Sequence, residues 1–107
     1  MKLIIAIINS DDAKQVGNQL KKSGFYVTRL QTTGAFLQKG NVTLMTGVED
    51  GKVDEFRNIL TRFSSKRIVS VDSAFAFGEA LAYSQPVDVV VGGATMFVLD
   101  VEQFHKI

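Results

Sequence analysis

The residue pattern predicts an α+β domain of order β-α-β-β-α-β with extra C-terminal strands. That is the ferredoxin-like arrangement, one antiparallel sheet with two helices on one face. Two observations carry the prediction. Short apolar, β-branched runs recur at strand length, over residues 3–8, 25–31, 42–48, 66–71, 87–91 and 94–99. Between them lie two stretches with apolar residues at helical spacing, Ala13, Val16 and Leu20 in the first and Val53, Phe56, Ile59, Leu60 and Phe63 in the second.

Each element follows from its residues. Residues 3–8 are apolar on both faces and read as a fully buried strand. Asn9, Ser10, Asp11 and Asp12 offer side-chain oxygens to a helix start. Lys14, Asn18, Lys21 and Lys22 form that helix's outer side, and Gly24 suits a left-handed cap at its end. Residues 25–31 read as a strand, with Phe25, Val27 and Arg29 on one face and Tyr26, Thr28 and Leu30 on the other. Residues 42–48 return antiparallel to it. Asp54 and Glu55 fall in the first turn of the second helix and Arg62 near its last, as the helix dipole prefers. Gly92-Gly93 marks a bend or bulge between the last two strands, and residues 101–105 a turn of helix or a tail.

Composition narrows the function. A chain of 107 residues is expected to form one domain, 1–107, with a small core. Twelve basic against 11 acidic residues give a net charge of +1, too little excess for non-specific nucleic-acid binding. The absence of cysteine excludes disulfides and thiolate zinc sites, and makes a cytoplasmic location the plain expectation. Residues 3–8 are far too short to span a membrane and lack the flanks of a signal peptide. His105 is the only histidine and has no nucleophile or carboxylate at a motif spacing, so it reads as structural. No catalytic motif, paired metal-ligand spacing or cofactor motif is present. The expectation is a protein that is not an enzyme and carries no cofactor and no metal.

Residues 32–50, TTGAFLQKGNVTLMTGVED, are the most informative stretch. Turn residues flank an apolar pair, Phe36 and Leu37, and a polar turn cannot bury such a ring cheaply. A ligand, another subunit or the rest of the fold must cover it. Gly34 and Gly40 are spaced G-x5-G-N, which is not a Walker A loop. Gly-rich turns can still hold phosphate through backbone N–H groups, although from composition alone an ordinary hairpin loop is the favoured reading. Residues 72–85 hold Phe75, Phe77, Gly78 and Tyr83 without a clear period. They either pack locally or form a flap that orders over a ligand or partner.

The same stretch resembles the signature of the PII-like cyclic di-AMP receptor family. The opening MKLIIAII and the closing VGGATMFVLDVEQFH, residues 91–105, resemble that family too, in the same order and at nearly the same spacing. The resemblance implies a PII-like homotrimer with sheets facing inward. It implies cyclic di-AMP held between subunits at Thr28, Gly34, Phe36, Leu37, Asn41, Gly47 and Phe97. The chemistry of those residues suits the ligand. Thr28 can donate to a phosphate oxygen, while Phe36, Leu37 and Phe97 offer stacking surface to adenine. Asn41 can both donate to and accept from an adenine edge, and Gly47 leaves room for a flat base.

Departures from the family pattern are equally specific. Its Asn-x-Arg-x-Thr stands here as Gly24-Phe25-Tyr26-Val27-Thr28, so a polar partner and a phosphate-binding arginine are missing. Alternation turns Arg29 to the other face. A second glycine after Gly34 is Ala35, and a glutamine near the C-terminus is Lys106, which restores one positive charge. Loss of one charge-assisted bond to phosphate costs about 1.5–3 kcal/mol, or roughly ten- to a hundredfold in affinity. Two functions follow. One is a non-enzymatic signal-transduction protein that binds cyclic di-AMP and acts on a further protein. The alternative is a divergent relative that binds another adenine nucleotide, or none, as an interaction module.

Overall fold

The computed structural model describes residues 1–30, 40–71 and 86–107. Strand β1 (Lys2–Asn9) leads directly into helix α1 (Ser10–Lys22). Asn9 caps the helix, its side-chain oxygen accepting from the Asp11 N–H at 2.9 Å. At the other end the Gly24 N–H donates to the Lys21 carbonyl at 3.1 Å and the Phe25 N–H to the Leu20 carbonyl at 2.9 Å. This is a Schellman cap, and it needs Gly24 in the left-handed region, at φ +86°.

Strands β2 (Thr28–Leu30) and β3 (Asn41–Val48) follow, then a 3₁₀ turn at Asp50–Lys52 and helix α2 (Val53–Ser64). Strand β2 is shorter than the run of residues 25–31 predicts. Phe25 instead turns into the core, where its ring meets Phe56 edge-to-face at 5.4 Å. The chain continues as β4 (Arg67–Val71), β5 (Val87–Val91) and β6 (Ala94–Asp100).

The main sheet is four-stranded, antiparallel, in the order β2-β3-β1-β6. That is consistent with the ferredoxin-like arrangement, with one correction. The extra strands do not follow the last sheet strand. They form a separate two-stranded ribbon, β4 against β5, and the place beside β1 goes to β6. Residues 87–91 thus lie outside the main sheet, with Val90 63% exposed opposite an exposed Ile68.

The ribbon is tied to the body at its root. The Arg67 guanidinium donates to both carboxylate oxygens of the buried Asp12, at 2.7 and 3.2 Å. Gly92 and Gly93, at φ +76° and +102°, carry the chain from β5 into β6. A Cβ on Gly92 would lie 2.5 Å from Arg67 Nη1 and 2.8 Å from the Ser65 carbonyl, so only glycine fits beneath the ion pair.

The core lies between the sheet and both helices. Ile4, Ala6 and Ile8 face it from β1, Val42 and Leu44 from β3, Val16 and Leu20 from α1, and Phe56 and Leu60 from α2. The opposite face of β1, with Leu3, Ile5 and Ile7, is only half-buried within one chain. The prediction of a fully buried first strand therefore holds for one of its faces.

Candidate functional site

Register assigns the candidate residues to a common surface. The helix-side residues of β1 are Ile4, Ala6 and Ile8, so Leu3, Ile5 and Ile7 point the other way. Met45 and Phe97 are both paired with Ile5, and Thr28 with Met45. Directly opposed residues share a face, so Thr28, Met45, Ile5 and Phe97 form one row across the side of the sheet away from the helices. Gly47, Leu3 and Leu99 form the next row, and Asn41 lies on the same side opposite Asn9.

Thr28, Asn41, Gly47 and Phe97 thus sit together on the face away from the helices. They do not converge to a point. Three strand spacings of roughly 4.8 Å separate Thr28 from Phe97, or about 14 Å. The surface between them is apolar, and Phe97 itself is 52% exposed. Asn41 is held at the start of β3, where the neighbouring Gly40 carbonyl accepts from the Ser10 N–H at 2.6 Å. Gly34, Phe36 and Leu37, like Ala35 and residues 72–85, lie outside the described residues.

Gly47 has no conformational reason to be glycine. Its φ is not left-handed, and an added Cβ would meet only Met1 Sδ, at 3.8 Å. Its bareness leaves the backbone open to a close neighbour. It borders a cleft of about 310 Å³ that Tyr26 also lines. The Tyr26 carbonyl accepts from Thr46 Oγ1 at 2.7 Å while its side chain is 90% exposed. Arg29 is opposite Leu44 on the helix side, as alternation requires, so it does not replace the missing arginine. Lys106 and His105 are exposed on the C-terminal tail, His105 Nε2 lying 3.2 Å from Gln103 Oε1. His105 therefore has no core role to support its structural reading.

Sequence reasoning missed Glu49 and Lys52, which line the same cleft from the turn between β3 and α2. Their signal was position: both follow Gly47 within a few residues, on a turn that hydrophobic periodicity does not describe. A larger cavity, about 610 Å³, lies between α2 and the outer strand β6, lined by Leu60, Met96 and Val98 with Arg57 and Lys66. It includes none of the candidate residues, and size alone does not make it the site.

Charged groups outside the cleft fix the scaffold. The N-terminal ammonium lies 3.0 Å from the Asp50 carboxylate and holds it below the usual carboxylate range, first by its hydrogen bond and then by its charge. Hydrogen bonding to Asp12 raises the Arg67 pKa. Lys2 is raised likewise by its hydrogen bond to Asp100.

Sheet order and helix placement define a small α+β domain consistent with ferredoxin-like architecture, with one apolar sheet face that no helix covers among the described residues. Comparison with known proteins narrows this. The sequence model described as "Cyclic-di-AMP receptor" matches residues 1–107, and the chain belongs to that family. A receptor family of this kind groups binding proteins rather than enzymes. The chain is also similar to a functionally unknown protein from Pediococcus pentosaceus of known crystal structure. The two share 37% identity at a TM-score of 0.80, over 99% of this chain and 96% of that one. Among the described residues no helix is long and apolar enough to cross a membrane.

Proposed function

We propose that this chain is a non-enzymatic, PII-like signal-transduction protein that binds cyclic di-AMP at the subunit interfaces of a homotrimer. The observation that supports it best is the shared face. Thr28, Asn41, Gly47 and Phe97, implied by family resemblance alone, fall on one side of one sheet. That same side is apolar and carries no helix among the described residues. Half-buried Leu3, Ile5, Ile7 and Met45 and exposed Phe97 and Leu99 form a face that one chain leaves wet. Apolar area contributes about 25 cal/mol per Å² when removed from water, so packing such faces together favours association.

Ligand recognition divides between two kinds of contact. Phe97 supplies a ring face for adenine, and Asn41 supplies paired donor and acceptor groups for a base edge. Thr28 supplies a hydroxyl to phosphate. With Arg29 on the helix side and no arginine on the Thr28 face of β2, base contacts carry more of the affinity than phosphate contacts do. The bound state would then be read by a further protein.

Titration calorimetry against cyclic di-AMP, cyclic di-GMP, ATP and ADP, with light scattering on the same samples, tests this function. The expected result is a trimeric mass and heat only with adenine ligands, cyclic di-AMP binding tightest. A monomeric mass at micromolar concentration, or preference for cyclic di-GMP, would overturn it.

A further inference from the structure

The cleft beside Gly47 has its own chemistry. Its wall on the side of β2 is Tyr26, and the backbone there is fixed. Phe25 is locked in the core, and the Tyr26 carbonyl is held by Thr46 Oγ1. Because Phe25 and Val27 both pack inward, the Tyr26 side chain is directed outward, 90% exposed, beside a cleft that Gly47 also lines. An exposed aromatic ring beside bare backbone offers a stacking face to a flat ligand ring.

Charged side chains line the same cleft. Glu49 and Lys52 project from the turn between β3 and α2. Lys52 Nζ lies 3.3 Å from Glu55 on an exposed helix turn. An exposed i,i+3 pair of this kind is weak, so the ammonium is free to turn toward a phosphate. Glu49 can accept from a sugar hydroxyl. Side chains of the types that meet a ring, a sugar and a phosphate thus line one space of about 310 Å³, the lower end of the range for small-molecule sites.

From this we infer that Tyr26 and Lys52 set the specificity of the cleft. It takes one nucleotide moiety, its base stacked on Tyr26 and its phosphate charge met by Lys52. The inference deepens the nucleotide-receptor function and rests on it. Tyr26 reads any purine by its face, so the cleft accepts a mononucleotide such as ADP as well as one half of a cyclic dinucleotide. The phosphate term comes from a flexible lysine and is the more salt-sensitive part.

The test is titration of cyclic di-AMP, ADP and adenosine at low and high salt into the full chain and three variants. Tyr26 and Lys52 are exposed, so the variants are expected to melt with the parent protein. Tyr26→Phe keeps the affinity, and Tyr26→Ala loses about ten- to a hundredfold for all three ligands. Lys52→Gln loses about tenfold for the phosphate-bearing ligands only and flattens their salt dependence. Unchanged affinity in Tyr26→Ala and Lys52→Gln, with the parent binding normally, overturns this inference and leaves the receptor function standing. Absence of binding by the parent protein overturns both.

Discussion

Gly47→Ala separates ligand from fold more cleanly than any other single change at the site. Most glycines in sheets serve a bulge or a left-handed turn, and their replacement destabilises the chain. Gly47 does neither. It lies in an ordinary extended conformation within β3, and the new Cβ would stand 3.8 Å from a single neighbour, the flexible Met1 side chain. Alanine is favoured over glycine inside a strand by about 0.5–1 kcal/mol, so the variant should be at least as stable as the parent. At roughly 4–8 °C per kcal/mol for a domain of this size, the melting temperature should hold or rise by several degrees. Binding moves the other way. The methyl group fills the space where a base would lie on the backbone. Losing one stacked base costs about 1–3 kcal/mol, which is about five- to 150-fold in Kd. Scanning calorimetry and cyclic di-AMP titration on the same preparation measure both effects. A variant that binds as tightly as the parent would show that nothing approaches Gly47. A variant that melts far below it would show that glycine serves the fold.

Two further predictions concern the scaffold. Gly92→Ala should be much more destabilising than Gly24→Ala. Both force alanine into the left-handed region, at about 1–2 kcal/mol, but only at Gly92 does the Cβ also strike Arg67 and the Ser65 carbonyl. Equal losses in urea unfolding would mean that the ribbon root yields freely. Asp50 should confer a pH-dependent increment of stability. Its folded pKa lies below the ordinary 3.8, so the increment is present above that value and vanishes as pH falls through the folded one. Asp50→Asn should therefore melt below the parent at pH 7 and with it near pH 2, and a constant gap across that range would refute the pairing with the N-terminus.

Both helices were legible because each element's signal was local. The stripes Ala13, Val16, Leu20 and Phe56, Leu60 are the buried ones, and the Asn9 and Gly24 caps are where the residue types place them. Strand order was not legible, because it depends on contacts far apart in sequence. Residues 66–71 carry a good strand pattern, yet β6 takes the place beside β1, and the left-handed pair Gly92-Gly93 makes that route possible. Alternation did place Thr28 on the face away from Arg29, and register then joined it to Gly47 and Phe97. Tyr26 was visible as a departure from the family pattern, but its partners Glu49 and Lys52 were not. They belong to a turn, where no periodicity marks which side chains face a cleft.

Thr28 and Phe97 mark opposite edges of the sheet, on its two outer strands β2 and β6. A ligand touching both within one chain must span about 14 Å of apolar surface. In the proposed trimer, Phe97 of one copy can instead join Thr28 of the next. These alternatives predict different behaviour in mixed assemblies. Thr28→Val and Phe97→Ala should each abolish or greatly weaken binding on their own. Suppose the two variants are unfolded together, mixed equally and refolded. If each site draws Thr28 from one subunit and Phe97 from its neighbour, an intact site needs the Phe97 variant in the first place and the Thr28 variant in the second. Random assembly then restores about a quarter of the sites to parental affinity. If one chain supplies both residues, every site carries a defect and none is restored. Titration of the refolded mixture reads the stoichiometry directly, and high-affinity sites in near-zero amount would refute a site shared between subunits.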